Sequence, residues 1–177
     1  DKGSIRFGMG AVKGVGRSAV ETIINSRQEK RYDSIFDFSK RVDLRSANKK
    51  AFDSLVLAGA FDLMNSKTHR AQYFYESEDG QSFIEKAIRF GSKFQERHNS
   101  SQVSLFGDAL EVRIKEPEFP ECNPWSKLDE LKKEKEVVGI YISGHPLDDF
   151  KDSLSYLSNI RLSDLRDLRM FIDKELR

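Results

Sequence analysis

The stretch MGAVKGVGRS, Met9 to Ser18, alternates apolar residues with glycines and runs straight into a segment where Ala19, Val20, Ile23 and Ile24 recur at helical spacing. It reads as helix, tight turn, helix. Gly14 and Gly16 permit a sharp backbone turn and a close approach from outside, and the helix that follows begins with N–H groups that have no partner within the helix. Those donors lie at the positive end of the helix dipole, with the charges of Lys13 and Arg17 on either side. A phosphodiester backbone suits such a cradle, and because the donors are main-chain groups the contact carries no base sequence. Lys13, Gly14, Val15, Gly16, Arg17 and Ser18 are therefore the first candidate DNA-binding residues. A glycine turn that joins two helices and touches nothing else is the alternative at this point.

Working outward, the polar link QEKRYD (28–33) leads to Asp33 or Ser34, either of which can cap a helix carrying Phe36, Phe38 and Val42. Asn48 can cap the next helix, which turns Phe52, Leu55 and Val56 inward and stops at Gly59. Two helical hairpins thus follow one another, and their short helices bury each other where a single hairpin has nothing to pack against. The second turn, DLRSANKK (43–50), lacks glycine and resembles the first in its helices, its cap and its charges. Arg45, Ser46, Asn48, Lys49 and Lys50 are the candidate contacts of this degenerate second cradle. Two cradles related by a pseudo-twofold axis are expected to hold both strands of a duplex across the minor groove, with an affinity that falls steeply as salt rises.

From Lys67 to Arg97 the positions of Ala71, Phe74, Ile84, Ala87 and Ile88 predict one or two helices broken near SEDG (77–80). The segment HNSSQVSLFGDAL (98–110) is polar, and PEFPECNPW (117–125) is rich in proline, so residues 98–124 read as an extended connector. Trp125, Leu128, Leu131 and Val138 share one face of a helix of about sixteen residues, with KKEKE (132–136) mostly on its solvated side, ending at SGHPL (143–147). Another amphipathic stretch spans Leu147 to Leu157, and the final RLSDLRDLRMFIDKELR has no stop signal, so the chain is expected to continue in a longer parent. The predicted fold is mainly α: a tandem helix-hairpin-helix domain over 1–64, a helical extension over 65–97, the connector over 98–124 and a helical bridge over 125–177.

Composition limits what such a chain does. With 177 residues, 38% hydrophobic and 33% charged, it has room for one ordinary domain or two small ones, and its 13 phenylalanines argue against disorder. The net charge of +1 hides an asymmetry: residues 1–70 carry 14 Lys/Arg against 8 Asp/Glu, and residues 71–177 carry 16 against 21. A basic first part is expected to face a polyanion. No apolar run reaches the roughly 18 residues that cross a bilayer, and no membrane partner is expected. One cysteine and three scattered histidines supply neither a disulfide nor zinc-ligand spacing. Asp148 with Asp149, and Asp164 with Asp167, read as caps or solvated surface rather than a catalytic pair; His145 reads as a turn residue, Trp125 as core, and Cys122 has no role.

Three blocks carry a resemblance: IRFGMGAVKGVGRSAVETII (5–24), SIFDFSKRVDLRSANKKAFDSLVLAGAFD (34–62) and EKEVVGIYISGHPLDDF (134–150). In order and spacing they resemble the alpha subunits of the bacterial C-family replicative DNA polymerases, in the region between the fingers and the oligonucleotide-binding domain. The resemblance implies that the residues up to about Met64 hold duplex DNA leaving the active site. It implies that this fragment is non-catalytic, with no cofactor of its own, within a parent DNA-directed DNA polymerase whose Mg2+ lies elsewhere. It also implies contact with other holoenzyme subunits through the parent, and a cytoplasmic, nucleoid-associated place in the cell.

Gln102, Val103, Ser104, Leu105 and Phe106 are similar to the Q-x-x-L-F peptide with which bacterial proteins dock on the sliding clamp, the beta subunit. Gln102, Ser104, Leu105 and Phe106 are the candidate clamp contacts, with the Leu-Phe pair as apolar anchors in a polar segment. The same pair tucked against neighbouring helices is the bland alternative. Two other readings of the whole chain stay open: a structure-specific DNA-repair module built on the same hairpins, and a helical scaffold that binds only protein.

Overall fold

A computed structural model describes residues 7–65, 67–99 and 115–158. The described chain is helical, with α1 (Arg17–Glu29), α2 (Ile35–Arg41), α3 (Lys49–Leu57), α4 (Arg70–Phe74), α5 (Phe83–Asn99), α6 (Lys127–Val138) and α7 (Lys151–Leu157). Short 3-10 turns occupy Met9–Ala11 and Asp148–Phe150. The first half of the first hairpin is thus a single 3-10 turn within the described residues. The chain divides into two compact units, Asp1–Tyr141 and Ile142–Arg177. Within the first unit α6 packs against α3.

Each helix of the hairpins ends where its local chemistry requires. The Ser34 hydroxyl accepts from the Asp37 amide at 3.1 Å, and Asn48 Oδ1 accepts from the Ala51 amide at 3.2 Å. Caps of this kind contribute about 1 kcal/mol each. Gly59, at φ +79°, closes α3 with its own amide on the Val56 carbonyl and the Ala60 amide on the Leu55 carbonyl, both at 2.9 Å. The C-terminal carbonyls of α1 are covered by Arg41, whose guanidinium donates to Ser26 and, at 2.7 Å, to Lys30. Those around the end of α2 are covered by Gln95, whose amide reaches the carbonyls of Ser39, Lys40 and Val42 at 3.0, 3.2 and 2.8 Å. Gln95 can do so because α5 presses onto α2 at Gly91, where an added Cβ would lie 2.4 Å from the Ser39 carbonyl oxygen.

The core is aromatic. Phe36 meets Phe83, Phe90 and Phe119 edge to face at 5.7, 5.3 and 6.3 Å, and Phe38 meets Phe52 and Phe61 at 5.0 and 5.2 Å. Phe119 belongs to the proline-rich connector, and it lies 4.2 Å from Phe83 and 5.4 Å from Tyr73 between ring centroids. Gln72 Nε2 donates to the Pro120 carbonyl at 2.7 Å, and His69 Nε2 lies 3.1 Å from the Cys122 carbonyl oxygen. Residues 115–126 therefore have no regular secondary structure and yet are strapped to α4 and α5. The predicted break at SEDG is a tight turn closed by a bridge between Glu76 and Ser82.

The expected face of α6 is corrected. The helix has 12 residues and begins after Ser126, whose hydroxyl accepts from the Asp129 amide at 3.1 Å. Trp125 lies outside the helix beside Phe74, 5.4 Å between centroids, with Lys133 Nζ 4.7 Å from its ring. Leu128 is 46% exposed, whereas Glu134, inside the run expected to be solvated, is 1% exposed. The reason is Arg70, itself 7% exposed, whose Nη1 donates to Glu134 at 3.2 Å and to the Leu57 carbonyl at 3.1 Å. Its other edge is bidentate on Asp62, with Nε at 3.1 and 3.0 Å and Nη2 at 2.5 Å. Burial pulls the pKa of Arg70 down, but the hydrogen-bonded carboxylates of Asp62 and Glu134, with Glu130 nearby, outweigh it and hold it above the usual arginine value.

Removing one partner of such a pair strands the other in the interior. Arg70→Met and Glu134→Leu are each expected to cost about 3 kcal/mol, while the double variant costs clearly less than the sum, as read from urea midpoints in a double-mutant cycle. Additive losses would show that the two groups do not depend on each other.

Candidate nucleic-acid interface

The first turn is built by two buried valines with a glycine between them. Val12 and Val15 point into the core, and the Val15 amide donates to the Val12 carbonyl at 3.1 Å. Gly14 sits at φ +93°, and a Cβ there would lie 2.6 Å from Ser54 Oγ and 3.4 Å from the Lys50 stem on α3. Gly14 is thus required by the fold itself. Gly16 is not: its backbone is extended, and nothing lies within 4 Å of where its Cβ would stand. It is the N-cap of α1, and no side chain caps that helix.

Of the amides expected to face outward, those of Lys13 and Val15 are used inside the chain, Lys13 donating to the Val137 carbonyl of α6 at 2.8 Å. The amides of Gly16, Arg17 and Ser18 donate to no described residue, and all three residues are exposed. Lys13 is exposed as well. Arg17 makes an exposed pair with Glu21 at 2.8 Å, of a kind that contributes little and competes weakly with a phosphate. Lys50 reaches this corner from the second hairpin, with its stem lying over Gly14. The structure therefore gathers Lys13, Gly16, Arg17, Ser18 and Lys50 at one corner, with Gly14 and Val15 shaping it from within.

The second turn repeats the pattern with other residues: buried Ala47 followed by the N-cap Asn48 matches buried Val15 followed by Gly16. Its loop donors are occupied, while the Asn48, Lys49 and Lys50 amides, like those of Gly16, Arg17 and Ser18, donate to no described residue. Asp43 Oδ1 accepts from the Arg45 amide at 3.1 Å, and Oδ2 accepts from the Ser46 hydroxyl at 2.8 Å. The Ser46 and Ala47 amides donate to the Asp43 carbonyl at 3.2 and 2.8 Å, and the turn is fixed to α1 by the Asp43 amide on Thr22 Oγ1 at 3.0 Å. The Ser46 hydroxyl and the Arg45 amide hold the Asp43 carboxyl below the usual carboxylate range. Lys49 pairs with Asp53 at 3.4 Å and with Glu85 at 4.0 Å, and the charge of Arg45 acts on Asp43.

Gln102, Ser104, Leu105 and Phe106 lie outside the described residues, as do Asp164 and Asp167. In the second unit Asp148 accepts from the His145 amide at 2.6 Å and pairs with Lys151 at 3.0 Å, while His145 Nδ1 accepts from the Leu147 amide at 3.2 Å. These groups close a turn. No group of His, Cys, Asp or Glu among the described residues is placed to hold a metal ion. No described helix is long and apolar enough to cross a membrane.

Residues 1–73, which contain this corner and both turns, match the family described as "Helix-hairpin-helix motif". Over nearly its whole length the chain is similar to one stretch of DNA polymerase III subunit alpha. The subunit of Vibrio cholerae is 34% identical over 169 residues, covering 93% of this chain and 14% of that protein. That of Pseudomonas fluorescens is 31% identical over 183 residues, covering 96% and 15%, and that of Escherichia coli 31% over 172 residues, covering 93% and 14%. The resemblance to the C-family alpha subunit therefore holds along the chain, which spans about a seventh of the length of the curated relatives it matches.

The two glycines are expected to part company under substitution. Gly14→Ala forces a side chain into the left-handed region against Ser54 and costs about 1–2 kcal/mol. Gly16→Ser supplies the N-cap that α1 lacks and leaves stability unchanged or higher by a few tenths of a kcal/mol. Thermal melts of both variants check this, and equal destabilisation would mean that Gly16 also serves the fold.

Proposed function

We infer that this chain is a non-catalytic segment of a replicative polymerase alpha subunit that binds duplex DNA without regard to sequence. The observation that carries the inference is the bare N-terminus of α1. Ser34, Asn48 and Ser126 cap α2, α3 and α6 through their side chains, whereas α1 begins at a glycine with open space beside it and exposed amides at Gly16, Arg17 and Ser18. A phosphate fits where the missing cap would sit, held by those amides and by the charges of Lys13, Arg17 and Lys50. On the second hairpin Arg45 and Lys49 add positive charge, with Ser46 and Asn48 as polar contacts.

The clamp peptide supplies the second attachment. Gln102, Ser104, Leu105 and Phe106 dock on the sliding clamp, with Leu105 and Phe106 each contributing about 1.5–3 kcal/mol if fully buried in its pocket. They follow α5 in the chain, and the next described residues are anchored by Phe119. Joining a weak duplex contact to a clamp contact makes the second event effectively intramolecular, which is how processive synthesis is sustained. Nucleotide transfer and its Mg2+ belong to the rest of the parent polymerase, acting at the bacterial nucleoid with the other holoenzyme subunits.

Two measurements test this. Binding to a labelled random-sequence duplex is expected in the micromolar range or weaker, falling about tenfold or more between 50 and 200 mM salt, with Gly16→Ser weaker than the wild type despite its stability. A response flat with salt, or full binding by Gly16→Ser, removes the phosphate cradle. Replacing Leu105 and Phe106 with Ala is expected to abolish clamp retention on a column while leaving duplex binding intact; loss of both together would count against a separate tether.

A further inference from the structure

The aromatic core is open to solvent on one side. The buried residues Ile23, Phe38, Leu55 and Phe61 line a cavity of about 720 Å3, within the size range of ligand pockets. Met9 and Met64, both half-buried, line it too and give it an adaptable wall, and Leu63 beside them is wholly exposed. No acid lines the cavity, whereas Arg27 and Arg31 do. Both arginines are exposed, and neither forms an ion pair with a described acid; the charge of Arg27 acts on the Tyr32 phenol. They are not needed to close α1, because Arg41 already donates to the carbonyls of Ser26 and Lys30. An apolar cavity bordered by two such cations suits a ligand that carries a bulky apolar group beside carboxylates.

We propose that the occupant is this chain's own QVSLFGDALE (102–111), which docks here when no clamp is bound, Leu105 and Phe106 filling the apolar cavity and Asp108 and Glu111 meeting Arg27 and Arg31. The proposal rests on the clamp reading above and makes one apolar pair serve two sites in turn. The first support is chemical. The segment combines Leu105, Phe106 and Leu110 with two acids and contains no Lys or Arg, the complement of a cavity that has two arginines and no acid. The second is reach. On one side Gln95 of α5 holds the Ser39, Lys40 and Val42 carbonyls, and on the other Glu116 pairs with Lys40 at 3.0 Å, so the chain leaves and returns at the C-terminal end of α2. Phe38, in the cavity, precedes Val42 by four residues of that helix, about 6 Å along its axis. The stretch from Asn99 to Leu105 spans up to about 20 Å, and that from Phe106 to Glu116 up to about 33 Å. Tethered this closely, the segment meets the cavity at a high effective concentration. The phosphate corner is at the other end of α1, about 15 Å from Arg27, so both sites can be filled together. The clamp then captures only the undocked fraction, and its apparent affinity is reduced by that fraction.

Hydrogen–deuterium exchange on the full chain reads the docking without the clamp. The amides of residues 103–111 are expected to exchange about threefold or more slowly than those of a synthetic peptide of the same sequence. Arg27→Glu/Arg31→Glu and, independently, Leu105→Ala/Phe106→Ala are expected to exchange there as fast as their matching free peptides, while Arg27→Lys/Arg31→Lys keeps the slow rate. Thermal melts confirm that each variant is folded. On immobilised clamp, Arg27→Glu/Arg31→Glu is expected to bind about threefold to tenfold tighter than the wild type. Lys67→Glu/Lys132→Glu makes the same charge change at exposed positions away from the cavity and is expected to bind as the wild type does. Free-peptide exchange in the wild type, or slow exchange that survives Arg27→Glu/Arg31→Glu, overturns the proposal. A clamp affinity unchanged in that variant, or an equal gain in Lys67→Glu/Lys132→Glu, overturns it as well. Failure of the clamp reading shows differently: the clamp retains neither the wild type nor Arg27→Glu/Arg31→Glu although the exchange pattern is as expected, which removes the competition and leaves the docking.

Discussion

The buried guanidinium of Arg70 connects parts of the chain that are far apart in sequence and would otherwise have no reason to meet. It takes the Asp62 carboxylate from the turn after α3, the Leu57 carbonyl from the end of α3, and Glu134 from the middle of α6. Gly59 has to be a glycine partly for this reason, because a Cβ there would lie 2.4 Å from Arg70 Nη2. Once α6 is held at Glu134, its last turn brings the Val137 carbonyl onto the Lys13 amide. The glycine corner is thus fixed from outside the hairpins, by a helix more than a hundred residues further along the chain. A buried ion pair contributes little net stability against an apolar alternative, but it tolerates few other arrangements, because any slip leaves a charge uncompensated.

That constraint separates the two hairpins. In the first, the internal use of the Lys13 and Val15 amides locks the turn and leaves the start of α1 bare. In the second, there is no outside carbonyl to lock the turn, and Asp43 and Asn48 supply acceptors from within. The first turn is held through the Val137 carbonyl of α6, and the second through Thr22 of α1 together with its own Asp43 and Asn48. The pseudo-symmetry seen in the residue pattern is therefore a symmetry of helices and not of chemistry.

Much of this was legible locally. Ser34, Asn48 and Gly59 mark their helix ends by chemistry that acts within four residues, and the structure uses each of them as the pattern predicts. The break at SEDG was readable for the same reason. What local reading missed lies at long range. KKEKE looks like a solvated run, yet Glu134 is buried because Arg70 is there to receive it, and Leu128 is exposed because α6 is rotated to make that contact. Trp125 falls one residue before the cap, so helical spacing did not apply to it. Asp43 carried a signal, an acid two residues before Arg45 and three before Ser46, that marks a side chain returning to its own turn.

By itself the sequence determined the helical class, the tandem hairpins, the capping residues and the glycine corner with its flanking charges, since these depend on backbone preferences and contacts between near neighbours. The tertiary structure decided which of the corner's amides remain free, that α6 belongs with the hairpins, and that Glu134 is buried against Arg70. Those outcomes turn on hydrogen-bond partners and buried charges whose positions are set only when distant helices pack, and a linear pattern does not contain that information.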